Sequence, residues 1–344
     1  MPANPFESKK KIVPEPVEGL PYTSGIRRQD LPTHVRRYAD KLAAQIRDIY
    51  AKYGAKNFEE LKENKKLSAQ DARKVADLLK AFQKAIETKD VELDFEEAIE
   101  ILGRENVHGV EDVEAMLGDG FVNISKVPPI PYTADDLEKS KEIKEKTGVE
   151  EMLVLFVADK DGKPLTGERM NELIQAEYTK LGLGKLLHEV AWYKDEDFLE
   201  KLGLSYEWKL ITKQIIPGSS DKHHHYEPGD NFTHQDTQEF AIEEYARELD
   251  IPRDQLSRPE PFQMLYAVSL HLIATERLKG KGKGERILKN EWHWSDVHSS
   301  SGNPVYAGLA VPDGARMYGD SRGVLNDNLG VCLSRVSSSK SLDT

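Results

Sequence analysis

Apolar residues recur at helical spacing from Leu31 through Val35, Tyr38, Leu42, Ile46 and Ile49 to Tyr53, with Pro32-Thr33 suited to a start and Gly54 to a stop. A second helical stripe, Ala72, Val75, Leu79, Phe82 and Ile86, follows a Ser68-x-x-Asp71 capping signal. Shorter helices are expected from Asp94 to Leu102 and from Val110 to Leu117, completing a helical region over 31–120. His34 and His108 fall near helix ends, where a solvated or capping imidazole is expected. Pro128-Pro129-Ile130-Pro131 reads as part of a linker spanning 121–150.

The second half changes period. Glu151 to Ala158 is a short apolar run before an Asp-Lys-Asp-Gly turn, as a buried strand requires. Met170, Leu173, Ile174, Tyr178 and Leu181 form a helical stripe stopped by Gly182, and Trp208 to Ile216 alternates like a strand. Asp236-x-x-Glu239 looks like a capping box. Pro259 and Pro261 open a helix with Phe262, Leu265, Tyr266, Ser269, Leu272 and Ile273 on one side. Beyond the Gly280–Gly284 run, strands are expected at Arg286–Lys289, Val305–Leu309 and Gly330–Arg335. Strands mixed with segregated helices make 151–344 an α+β ligand-binding domain, and the Pro-rich residues 1–30 a tail or extended arm.

Composition narrows the classes. The chain has 344 residues, a net charge of −12 and one cysteine. The acidity argues against nucleic-acid binding through a basic surface. A lone Cys332 excludes an intramolecular disulfide and a Cys-based zinc cluster. No apolar run approaches the ~20 residues of a membrane span, and the first thirty residues lack an apolar leader core. A cytoplasmic protein is the expectation.

Four segments carry candidate chemistry. His223 and His225 alternate and place Glu227 in the same phase, so all three, with His234 beyond, form a possible metal set. His-x-His before Glu and Pro-Gly-Asp resembles the first metal motif of cupins, but only Tyr226 separates His225 from Glu227. A polar loop competes with that reading. Lys279 to Arg286 interleaves Lys and Gly without Walker spacing, and reads as a flexible surface connection. Cys332 lies in an apolar run and reads as a small core residue.

The fourth segment is the C-terminal one. From Trp292 to Ser339 there is no Lys and no Glu, and four Asp face three Arg. Aromatic residues mix there with Ser, Gly and Asn, the mixture of adaptable recognition loops. The expected ligand-binding residues are Trp292, His293, Trp294, Asp296, His298, Asn303, Tyr306, Tyr318, Arg322, Asn326 and Asn328. Ordinary β-turns use the same small polar residues.

Pro128–Pro131, Pro164-Leu165-Thr166, Trp208 to Ser219 and Gly330 to Arg335 together resemble a group of bacterial proteins over Asn106–Arg335. Their C-terminal part resembles the C-type-lectin-like fold of diversity-generating retroelement target proteins. It is also similar to formylglycine-enzyme-like domains that close on a Gly-Phe-Arg strand, from which Gly330-Val331-Cys332 departs. The resemblance implies a C-type-lectin-like mixed domain of short antiparallel strands. It also implies loops varied at adenines, and such variation of Asn codons reaches neither Lys nor Glu. The expectation is therefore a non-enzymatic recognition protein, without cofactor, that binds a protein or small ligand at its C-terminal loops. The alternatives are a metal-dependent cupin-like enzyme using the His223-His225 cluster and a phage or cell-surface structural protein.

Overall fold

The structure, a computed structural model, describes residues 33–55, 58–64, 67–88, 93–188, 196, 198, 202–220, 234–319 and 328–337. It divides into two compact units, Met1–Val91 and Glu92–Thr344.

The first unit is helical. α1 (Thr33–Tyr53), α2 (Phe58–Glu63) and α3 (Ala69–Thr88) enclose a core that includes Leu42, Ile46, Tyr50, Leu61 and Val75. The Ser68-x-x-Asp71 signal caps α3: Ser68 Oγ accepts the Asp71 N–H at 3.1 Å. Lys52 donates to Asp71 Oδ2 at 2.6 Å and holds the carboxyl down, to about 2.

The second unit is α+β. It begins with α4 (Phe95–Leu102), β1 (Val107–His108), α5 (Val110–Leu117) and α6 (Ala134–Thr147). β2 (Glu151–Phe156), β3 (Leu165–Thr166), α7 (Gly167–Leu181), β4 (Gly203–Leu204) and β5 (Glu207–Thr212) follow. Then come α8 (His234–Glu248), β6 (Leu256–Ser257) and α9 (Pro261–Lys279). β7 (Trp292–His298), β8 (Pro304–Val311), β9 (Gly314–Gly319), β10 (Leu329–Gly330) and β11 (Ser334–Arg335) complete it. One sheet has the order β1-β2-β5-β11-β6, and a second the order β10-β7-β8-β9. β3 and β4 pair separately.

The boundary between units falls at 91/92 and not within 121–150. The expected linker belongs to the second unit's core, where Phe121, Ile130, Tyr132 and Leu137 are buried and Ile130 bridges Leu93. Prolines fix extended backbone, and an extended segment can line a core as readily as join two. α4 and α5, expected to pack with the first helices, share that core.

α9 is buried from Pro261 to Glu276 on all sides and touches strands of both sheets. A one-sided stripe does not describe it, because apolar residues ring the helix, the mark of a buried helix. The Glu239 carboxylate does not close a capping box. α8 starts at His234, and Glu239 instead binds Arg253 and Arg258, each at 2.7 Å.

Arg286–Lys289 is not a strand, although Leu288 O accepts the Ala310 N–H at 3.1 Å. The Lys-Gly run is tied down rather than loose. Buried Glu276 accepts backbone N–H groups of Gly282 and Gly284. The expected Trp208–Ile216 strand ends at Thr212, and the chain turns through Gly218 at φ +75°.

The expected Gly330–Arg335 strand divides because the chain passes from one sheet to the other. β10 pairs with β7, and β11 pairs with β5 and β6. Between them three successive amides meet side chains. Val331 N–H donates to Ser219 Oγ (3.1 Å), Cys332 N–H to His293 Nδ1 (2.9 Å) and Leu333 N–H to Thr212 Oγ1 (2.9 Å). Across the same region, Arg335 pairs with Glu151 at 2.7 Å, both buried, and also donates to Ser140 Oγ at 2.9 Å.

Candidate functional site

β7 explains where the expected binding residues go. Trp292 and Trp294 share one side of the strand and face Tyr306 of β8, with both ring pairs at 5.2 Å and steeply tilted. All three are buried in a core with Ile242 and Tyr245 of α8 and with Leu249 just beyond it. They do not offer an exposed stacking surface, which corrects the expectation for Trp292, Trp294 and Tyr306. Alternation puts His293 on the other side, also fully buried. Its Nδ1 accepts Cys332 N–H, so its Nε2–H donates to Pro259 O at 2.8 Å. Burial pushes its pKa down to about 4, so it is a neutral structural group and not a ligand contact.

The strand reaches solvent only at its end. Asp296 is exposed and ion-pairs with Arg258, and His298 is exposed with Nδ1 3.1 Å from Asp296 O. Asn303 closes the β7–β8 turn: its O accepts the Ser299 N–H at 2.8 Å and its Nδ2 donates to Ser301 Oγ at 3.3 Å. Ser299, Ser301 and Asn303 thus bond one another, as in an ordinary β-turn, while Ser300 donates its N–H and hydroxyl to Glu196. Tyr318 stands opposite Tyr306 in β9, and its side chain lies outside the described residues. Arg322 and Asn326 lie outside them too, as do His223, His225 and Glu227; His234 opens α8, with its side chain likewise outside. Among the described residues no group of three or more His, Cys, Asp or Glu is placed to hold a metal.

Two other reactive groups are sealed. Cys332 is fully buried, and burial raises its thiol pKa far above the ordinary range. His108 is not at a solvated helix end. Its Nε2 lies 3.0 Å from His271 Nδ1 of α9, both rings fully buried. Their outer nitrogens sit 3.9 Å from Asp112 and Glu285 respectively. Burial is the main cause holding both rings neutral, with pKa values lowered to about 4 and about 2.

The last expected residue, Asn328, does line an open site. A cleft of about 300 Å³ lies between the end of α6 (Thr147, Gly148, Val149), the segment Gln214–Gly218 with Ser220, and the C-terminal residues Glu291 and Asn328. Gly148 ends α6 in the left-handed conformation (φ +76°), which turns its carbonyl to receive Gln214 Nε2 at 2.7 Å. Val149 and Ile216 are buried and give the cleft an apolar back. Ile216 N–H donates to Val331 O at 2.9 Å, which stitches this wall to the crossover segment. Asn328 O accepts the Trp292 N–H at 2.8 Å and fixes the opposite rim.

Among the described residues that line the cleft, Glu291 is the one ionisable group. Its Oε2 accepts the Ile215 N–H at 3.3 Å, and partial burial raises its pKa. No motif marked Glu291, Gln214 or Gly148. The available signal was compositional, since Glu291 is the last Glu before the Lys- and Glu-free segment.

Comparisons with protein-family models, with curated proteins and with solved structures find no match to this chain.

Proposed function

We propose that this protein binds a small molecule in the cleft between Gly148, Gln214, Ile216, Glu291 and Asn328, and acts by recognition rather than catalysis. The observation that carries this reading is the cleft itself. Its lining mixes polar groups of Gln214, Glu291 and Asn328 with the accessible apolar residues Ile215 and Pro217, a combination that a small amphiphilic ligand can use. The C-terminal segment contributes Asn328, and Glu291 stands immediately before it. Among the described residues the reactive side chains are sealed rather than presented to this cleft. His293 and the His108–His271 pair are sealed and neutral, and Cys332 is sealed.

Recognition by residues around the C-terminal strands, as in lectin-like variable proteins, is part of the same proposal. Within the described residues its contacts reduce to Asp296, His298, Asn303 and Asn328, with the aromatic residues supporting from the core. The test is a fragment screen by ligand-observed NMR on the full chain and on Asn328→Trp, which places an indole at the cleft rim. Fragments that bind the wild type and are excluded by the variant locate the site. Fragments that bind both equally would remove the cleft from consideration.

A further inference from the structure

We propose that the ligand of this cleft carries a primary ammonium group on a short aliphatic body, and that Glu291 receives the ammonium. The inference rests on the cleft being the ligand site, and specifies the chemistry that fills it.

Charge gives the sign. Among the described residues lining the cleft one is acidic and none is Lys or Arg. The nearby Lys213 is committed elsewhere, buried against Glu150 at 3.0 Å. Among these residues an anionic ligand would meet a carboxylate and no cation, whereas a cation meets its counter-charge in a partly dehydrated site. The chain's net charge of −12 also favours encounter with cations.

Hydrogen bonding selects the kind of cation. Glu291 Oε2 already accepts the Ile215 N–H, and among the described residues Oε1 has no donor. One open oxygen suits the point-like donors of an ammonium, whereas a guanidinium is best served by both oxygens side by side. A metal ion asks for three or more ligands, and the described residues offer no such group. Size and polarity supply the rest. About 300 Å³ is the lower end of the ~300–1,000 Å³ usual for small-molecule sites. Ile215 and Pro217, both accessible in the same lining, can meet a short run of methylene groups.

Glu291→Gln tests this, because the amide oxygen can keep the Ile215 bond while the charge is lost. Saturation-transfer NMR on the full chain at pH 7.5 would compare n-butylamine, 1,4-diaminobutane, 1-butanol and butyrate. We expect the two amines to bind and to be displaced in Asn328→Trp. In Glu291→Gln their affinity should fall about tenfold or more, as for a lost charge-assisted bond, with 1-butanol unchanged. If butyrate binds as well as butylamine, or Glu291→Gln leaves amine binding intact, the ammonium assignment fails while the cleft reading stands. If no fragment of any charge is displaced by Asn328→Trp, both fail.

Discussion

The Nδ1 atom of His293 accepts the backbone N–H of Cys332 at 2.9 Å, fully buried, at the point where the C-terminal chain leaves one sheet for the other. A strand that changes sheets loses its ladder partners, and the side chain of His293 replaces one of them. With Ser219 and Thr212 it fixes the crossover.

His293→Ala should therefore act on stability. It leaves the Cys332 N–H and Pro259 O unpaired and opens a small cavity, a loss of about 3 kcal/mol. Urea denaturation measures it. A midpoint within error of the wild type would show that the crossover does not depend on this bond.

Three buried histidines make stability depend on pH. His108, His271 and His293 have folded pKa values lowered from 6.5 to about 4, about 2 and about 4. Below pH 6.5 the unfolded chain binds protons that the folded chain refuses, so stability falls with pH at up to ~1.4 kcal/mol per pH unit for each histidine. Above about pH 7 the three contribute no slope. Thermal unfolding from pH 8 to pH 5 should show a plateau and then a steep decline. His108→Gln with His271→Gln keeps a polar pair without titration and should flatten the decline. A double variant as steep as the wild type would assign the acid sensitivity elsewhere.

The buried Arg335–Glu151 pair should behave asymmetrically. Removing one partner strands a charge in the core, at a cost of about 3–5 kcal/mol. Replacing both by Met removes both desolvation penalties and should cost less than either single change. A double-mutant cycle in urea checks this, and additive losses would contradict it.

Trp294→Ala separates a core role from a contact role. Trp294 is almost completely buried, so truncation should cost about 3–5 kcal/mol and lower the Tm by several degrees. An unchanged Tm with lost ligand binding would restore it to an exposed surface. Asp296→Ala, by contrast, removes an exposed carboxylate, and a change below about 1 kcal/mol is expected.

The sequence alone determined the class of the fold and most of its elements. Helical and alternating periods reflect which backbone geometry puts apolar residues on one side, and that information is local. Hence α1, α3, α7, β2 and the Ser68 cap follow from residue order. The tertiary structure decided which faces are covered. Nothing local distinguishes a Trp-His-Trp strand with one wet face from one packed on both, because burial depends on distant α8 and α9. The Lys- and Glu-free composition of 292–339 points to a surface, whereas β7 runs through the core until Asp296. The cleft was illegible for the same reason. Gly148, Gln214, Glu291 and Asn328 meet only after the chain has folded, and no spacing in the sequence encodes that meeting.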